Sequence, residues 1–468
     1  MESIVSVILA AGKGTRMKSD LVKVLHPLLG IPMLSYPIEL SLNGIKAEKT
    51  IVVVGYQADR IKERFRDPRL QFVLQEEQLG TGHAVLQAVP FLESFAGTVL
   101  ILCGDVPLVK IETLRSFVDT FWRNESVLSV LTAVVENPFG YGRILRSPAG
   151  WLEKIVEEKD ATEEEKLIPE INTGIFCVKA SYLMEGLKEI GQENAQGEYY
   201  LTDLVEIGRK RRLRCSAHMV ADPVEVMGIN TRIDLAIAHE ALRQEKAKDL
   251  MLSGVTIIDP KTAYVDKTVE IGRETILYPN CILQGKTKIG ERCIIESDVK
   301  ISDSVLGSEV TIRPNSVITE SKIDDGASIG PFAHLRPLTE VRNKAKIGNF
   351  VEVKKSVIGR GSKANHLTYI GDSLVGEEVN IGAGTITCNY DGLEKHQTII
   401  GDRVFVGSNV ELVAPVKVGS RSSIGAGTTV TKDVPEGALA ISRTRQKNIR
   451  GWSKKVELRR KKNKKRRD

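Results

Sequence analysis

At 468 residues, 42% of them apolar and 27% charged, the chain is too long for one hydrophobic core and too polar for a membrane-embedded fold; two or three soluble domains are expected. Its net charge of +6 is concentrated at one end: from Lys454 onward there are ten Lys/Arg and two acids, which leaves −2 for everything before. A basic tail of this kind, 454–468, is expected to be solvated and disordered, with polyanion or subunit contact as the alternative.

The apolar opening SIVSVILAAG is too short to span a bilayer and lacks a basic lead, so it reads as a buried first strand and a cytoplasmic location is the expectation. Further strands are expected at KTIVVVG, LQFVLQ, TVLILCGD and SVLTAVV, with helices at Gln57–Arg66 and Gly82–Phe95 between them. That alternation predicts a Rossmann-like α/β domain with a mainly parallel sheet over residues 1–229. In such sheets ligands bind beyond the carboxyl ends of strands. The helical spacing of RIDLAIAHEALRQEKAKDLMLS, stopped by Gly254, predicts a linking helix over 230–253.

From 254 to 453 the rhythm changes to an aliphatic residue every six positions. One run is Val265, Ile271, Leu277, Leu283, Ile289, Ile295, Ile301; others run from Ile323 to Val353 and from Ile400 to Val430. A small or short residue precedes each by two places, as Val269, Thr275, Cys281, Thr287, Cys293 and Val299 do in the first run. Two registered series at this spacing fit a parallel β-helix, whose coils must stack to bury a shared core. The six cysteines show no metal-type spacing; Cys281 and Cys293 fall on interior positions, so disulfides and a structural metal are not expected.

Two regions carry chemistry. After the first strand comes Leu9-Ala10-Ala11-Gly12-Lys13-Gly14-Thr15-Arg16-Met17, a glycine turn that lets backbone N–H groups approach phosphate. It is neither the dinucleotide fingerprint, which wants glycine where Met17 stands, nor Walker A. Asp105 ends an apolar strand, where a carboxylate needs a cation; Mg2+ is the candidate. In the hexad region the breaks in rhythm are GPFAHLRP at 330–337, GNFVEVKKSVIGRGSKANHLTYIGD at 348–372, and NIGAGTITCNYDGLEKHQTIIG at 380–401, the last with an extra loop at Asn389-Tyr390-Asp391-Gly392.

The turn, with the lysine of DLVKVLH and the later LQEEQLGTGHA, CGDVP, YGRI, IVEEKDA, EINTGIF and GEYYLTD, resembles the sugar-1-phosphate nucleotidyltransferases. Together with the hexad interruptions, residues 3–452 resemble the bifunctional bacterial family that joins an N-acetylglucosamine-1-phosphate uridyltransferase to a glucosamine-1-phosphate acetyltransferase. The resemblance implies a left-handed β-helix and UDP-N-acetylglucosamine synthesis for peptidoglycan and lipopolysaccharide precursors. It implies that Leu9, Ala10, Ala11, Gly12, Arg16 and Lys23 cradle the UTP phosphates and that Asn230 joins Asp105 on Mg2+. Gln75, Gly80 and Thr81 would lie near uracil, and Gly142, Glu157 and Asn172 around the sugar. In the column it implies His366 as general base, a role suited to imidazole. Arg336, Lys354, Tyr369 and Asn380 would hold the acceptor sugar phosphate. Ala383, Tyr390, Ser408, Ala426 and Arg443 would line acetyl-CoA, and Asn389 is implied for both groups. A homotrimer is implied too, with no specific nucleic acid and no membrane insertion.

Cys103, Val22, Asn365 and Met227 depart from the residues usual in that family, at the sugar pocket, before Lys23, before His366 and before Gly228 respectively. The runner-up reading is a single-activity nucleotidyltransferase whose column serves assembly or regulation. A nucleic-acid-binding or scaffold protein led by the tail is a third, although the tail lacks interleaved aromatics.

Overall fold

The runs of branched apolar residues in the first half form strands buried on both faces, as a parallel sheet requires. The computed structural model describes residues 3–442, 444–464 and 466, and the chain divides into two compact units, Met1–Lys248 and Asp249–Asp468. In the first unit the strands are β1 (Ile4–Ala10), β2 (Lys49–Val54), β3 (Leu70–Leu74), β4 (Thr98–Cys103), β5 (Leu128–Val134), β6 (Arg143–Arg146), β7 (Leu152–Val156), β8 (Glu170–Lys179) and β9 (Cys215–Met219). They form one sheet of order β9-β5-β8-β4-β1-β2-β3, with β6 paired to β8 and β7. β1 runs parallel to both β2 and β4, while β8 is antiparallel to β4 and β5. The order changes direction at β1 and β4, so the chain opens a crevice just past Ala10 and Cys103.

The helices α1 (Ala58–Arg64) and α2 (Thr81–Leu86) fall where the sequence places them. The second is shorter than expected: Pro90 lies in a separate 3-10 turn, Val89–Phe91, because proline cannot continue an α-helical hydrogen-bond ladder. The later helices used below are α3 (Asp203–Lys210) and α4 (Arg232–Leu252). The first part of α4 is more than a linker, since Ala238 and Leu242 are buried with Leu28, Met33, Tyr36 and Leu108. Gly254, at φ +95, ends the turn that follows it.

The second unit is a left-handed parallel β-helix. Ile276 pairs with Ile294, and Ile294 with Thr311; Ile282 pairs with Lys300, and Lys300 with Val317; Glu270 pairs with Lys288, and Lys288 with Val305. Three hexads thus make one coil, one strand on each of three faces. Leu277, Leu283, Ile295 and Ile301 are fully buried, and so are the small partners Thr275, Cys281, Thr287, Cys293 and Val299. Ile271, near the start, is only half-buried. Truncating one such residue leaves a hole that stacked coils cannot close. Ile295→Ala is therefore expected to lower stability by about 2–5 kcal/mol in a denaturant titration; a loss below about 1 kcal/mol would contradict the packed-core reading.

The breaks between runs have a backbone cause. Ile301 is followed by Leu306, Ile318 by Ile323, Val353 by Ile358 and Ile370 by Val375, each arriving one place early on the third face. The shortened corners carry Asp303, Glu320, Lys355 and Asp372 at φ between 43 and 48 in each case, conformations glycine adopts more readily.

The basic terminus departs from expectation: Trp452–Lys464 is α-helical, with no buried residue. Lys, Arg, Glu and Leu are strong helix formers, so a charge-rich segment need not be irregular.

Candidate active sites

In the first unit the glycine turn follows β1 and Asp105 follows β4; Leu9 and Cys103 are neighbours in register. A hollow of about 240 Å3 opens there. Leu9, Thr81, Asp105, Gly142, Glu157, Asn172 and Asn230, separated widely in sequence, all line it. Lys23 Nζ is ion-paired with Asp105 Oδ2 and donates to Asn230 Oδ1 at 3.1 Å. Arg16 Nη2 donates to the same Asn230 oxygen at 2.9 Å, and Asn230 N–H is anchored on Asp234 at 3.0 Å. Two hard oxygens thus converge on a cationic point, a donor set that suits Mg2+ with phosphate oxygens completing its shell. Among the described residues no group of three or more His, Cys, Asp or Glu side chains could hold a metal unaided.

On the sugar side, Asn172 N–H donates to Gly142 O at 2.8 Å, and Asn172 Oδ1 accepts from Gly174 N–H at 2.9 Å. A Cβ on Gly142 would lie 3.0 Å from Ile155, so the strand edge needs glycine there. Burial pushes the Glu157 carboxyl above the usual range, opposed by the Thr202 hydroxyl, which donates to it at 3.1 Å. Cys103 donates its thiol to Gly174 O at 3.3 Å, and burial keeps that thiol protonated. Gly80, at φ +106, lies against Tyr199, where a Cβ would come within 2.6 Å of a backbone oxygen. Gln75 is 3% exposed, and its amide donates to Gly80 O at 3.2 Å, bracing the turn that leads to Thr81. Ala10 is buried and Gly12 exposed on the turn beside Leu9.

Just outside the hollow, Asp203 is pushed up to about 6, chiefly by burial, with Glu206 and Asp160 adding repulsion. Its neutral form therefore favours the fold. That contribution is complete below the ordinary aspartate value of ~3.9 and is lost as pH rises through about 6. Asp203→Asn should accordingly lose less melting temperature than the wild type between pH 5 and pH 7.5. Parallel losses in both proteins would remove Asp203 as the cause.

In the column, two long strands mark the interruption: β10 (Lys346–Lys354) and β11 (Lys363–Gly371) pair so that Asn349 faces His366. His366 is exposed, and its Nδ1 lies 2.7 Å from Asn349 Oδ1. An amide oxygen only accepts, so Nδ1 is the donor in this contact, and in the neutral ring Nε2 is then the basic nitrogen. The coils meet closely here: a Cβ on Gly348 would be 1.9 Å from Asn365 O. Arg336 is held by Glu352 at 2.7 Å, and Glu352 is the register partner of Tyr369. Contact with Lys395, reinforced by Arg336, holds Lys354 below the usual lysine value. Three cations gathered in this way suit a phosphate dianion.

The inserted loop is a small hairpin in which Tyr390 bridges to Lys395. Asp391 anchors it, accepting from Leu393 and Glu394 N–H at 2.8 and 2.7 Å and meeting His396 Nε2 at 2.7 Å; these contacts hold its carboxyl well below the carboxylate range. Asn389 is 7% exposed and its amide donates to Asp372 Oδ2 at 2.6 Å, as a buried amide must be paired. One corner of the column repeats residues at φ > 0: Phe350, Leu367, Gly384, Asn409 and Gly427. Asn349, His366, Ala383, Ser408 and Ala426 each stand immediately before one of them, so they share one edge. Asn380 lies in register between Lys363 and Phe405. Arg443 lies outside the described residues.

Residues 6–169 match the family model for a MobA-like NTP transferase domain, and 397–432 the model for the bacterial transferase hexapeptide, six repeats. The bifunctional protein GlmU of Pelobacter propionicus is 52% identical over 453 residues, covering 97% of this chain and 98% of that protein. The chain belongs to the bifunctional GlmU family. The GlmU of Geotalea uraniireducens is 52% identical over 456 residues, 97% of this chain and 100% of its own, and that of Shouchella clausii 48% over 450, at 96% and 98%. Because both units fall within these full-length GlmU matches, the two sites are features of one family member and not of a fusion of unrelated parts.

Sequence reasoning missed Asn349, Glu352 and Lys395. Asn349 could have been found by stepping one coil back from His366. Lys395 could not, because only the hairpin returns it to Lys354.

Proposed function

We infer that this chain makes UDP-N-acetylglucosamine by two transfers: acetyl from acetyl-CoA to the amine of glucosamine-1-phosphate, then uridylyl from UTP to N-acetylglucosamine-1-phosphate with release of pyrophosphate. The product feeds peptidoglycan and lipopolysaccharide precursors. The observation that carries this reading is that one GlmU-like chain holds both a cleft built on Asp105, Asn230, Lys23 and Glu157 and a column edge built on His366. Because the full-length relatives are bifunctional GlmU proteins, the single-activity reading is not favoured.

For acetyl transfer, His366 Nε2 takes a proton from the sugar amine as nitrogen bonds to the thioester carbon; the C–S bond breaks and CoA leaves as the thiol. Asn349 fixes the ring for this role. Arg336, Lys354 and Lys395 hold the sugar phosphate, with Tyr369 and Asn380 alongside. Ala383, Ser408 and Ala426, small residues on the edge below His366, leave room for acetyl-CoA, and Tyr390 and Arg443 complete its site.

For uridylyl transfer, an oxygen of the sugar phosphate attacks the α-phosphorus of UTP in line. Asp105 and Asn230 hold Mg2+, which supplies charge neutralisation to the phosphates when bound. Arg16, Lys23 and the backbone from Leu9 to Gly12 align the triphosphate; Gly80 and Thr81 form the base side, and Glu157, Asn172 and Gly142 orient the sugar. Among the described residues no helix is long and apolar enough to cross a membrane. The cytoplasmic location and homotrimer we assign to the chain rest on its likeness to the GlmU family.

One assay tests the whole reading. Glucosamine-1-phosphate, acetyl-CoA, UTP and Mg2+ together should yield UDP-N-acetylglucosamine; omitting UTP should stop the reaction at the acetylated sugar phosphate. No product from the complete mixture would refute it.

A further inference from the structure

The first unit has another hollow, which shares no lining residue with the catalytic cleft. Its volume is about 380 Å3, within the range of small-ligand sites. Trp151, Leu152, Leu213 and Cys215 give it an aromatic and apolar wall; Arg209, Arg212 and Arg214 face it with Glu153 as the one acid. Trp151 sits at the turn between β6 and β7, fixed by Ser147, whose N–H donates to Trp151 O at 2.8 Å and whose hydroxyl accepts from Trp151 N–H at 3.1 Å. Trp151 is nevertheless 40% exposed.

The surrounding charges are unevenly matched. Lys210 is paired with Glu206, and Arg211 with Glu185 and Glu189. Arg214 lies 5.9 Å from the Trp151 ring centroid and 3.9 Å from Glu125. Among the described residues Arg209 and Arg212 make no salt bridge. An exposed indole stacks well on a nucleobase, and guanidinium forks bind phosphate bidentately. Neither half alone specifies a ligand; together they describe a flat aromatic body carrying phosphate.

We propose that this hollow is an accessory nucleotide site, with a base on Trp151 and its phosphates on Arg209 and Arg212, that communicates with the sugar side of the catalytic cleft. Two elements join the places. β7 starts at Leu152 in the hollow and ends at Val156, next to Glu157. α3 begins after Thr202, the Glu157 partner, and ends at Lys210, between Arg209 and Arg212. A ligand that draws the arginines toward Trp151 loads both elements at once, and reciprocity then requires the sugar to alter its affinity in turn.

The test uses the full chain and ADP as probe, by equilibrium dialysis with saturating UTP and Mg2+ filling the cleft. One ADP per chain should remain bound. Trp151→Ala and Arg209→Ala should each weaken it at least about tenfold, and Trp151→Phe should restore most of it, all with unchanged circular dichroism. ADP should also shift the KM for N-acetylglucosamine-1-phosphate by about fivefold in the wild type and not in the two alanine variants. ADP fully displaced by UTP, binding unchanged in both alanine variants, or a KM indifferent to ADP would overturn the proposal. The KM measurement alone rests on the uridyltransferase reading; absent uridylyl transfer in the wild type would sink that reading and leave the dialysis result to stand by itself.

Discussion

Replacing His366 by alanine is expected to slow acetyl transfer by about 10²–10⁴-fold while leaving uridylyl transfer within twofold of the wild type. The side chain is exposed and, among the described residues, hydrogen-bonds Asn349 alone, so its loss removes a base without opening a cavity. The rate is followed as release of the CoA thiol. Asn349→Ala should give a smaller loss and a changed pH profile, since it frees the ring to take the other tautomer. Acetyl-CoA consumption that persists unchanged in the His366 variant would end the assignment.

Replacing Asp105 by alanine is expected to abolish Mg2+-dependent pyrophosphate release, a loss of about 10³-fold or more. The substitution removes one of the two oxygens at the cationic point and leaves Lys23 with Asn230 alone. Asp105→Asn keeps the shape but not the charge, and should recover only a small part of the rate. Acetyl transfer is measured on the same preparation and should be retained. Loss of both activities in a folded protein would break the two-site account, and a rate within a few-fold of wild type would remove Asp105 from the machinery.

The sequence announces what is local and repeated. A β-helix writes its core into a six-residue beat, and a buried parallel strand into an unbroken apolar run, so Leu277 or Val52 can be placed without knowing any partner. The corners at Asp303, Glu320, Lys355 and Asp372 interrupt the beat because they depend on backbone conformations that composition does not advertise. Residues at strand ends or in glycine turns, such as Asp105 and Gly142, can also be picked out from sequence, and both line the hollow. Those that owe their role to a return of the chain cannot be. Lys395 reaches Lys354 only through the hairpin that Asp391 holds. The amide partners of Asn389 and Gln75, Asp372 and the Gly80 carbonyl, are likewise invisible in sequence. Trp151 and Arg212 line one hollow only because α3 packs against β7.

The shared edge that carries Asn349, His366, Ala383, Ser408 and Ala426 works as a ruler. Each coil advances by one strand spacing of ~4.8 Å, so Ala426 lies roughly 14 Å along the column from His366. Length along the axis is thus counted in whole coils, independently of which side chains decorate them. Removing one coil between His366 and Ala426 would shorten the bed proposed above for acetyl-CoA by a single graduation while leaving the imidazole untouched. Donor size in this fold is a quantity that evolution can change only in steps.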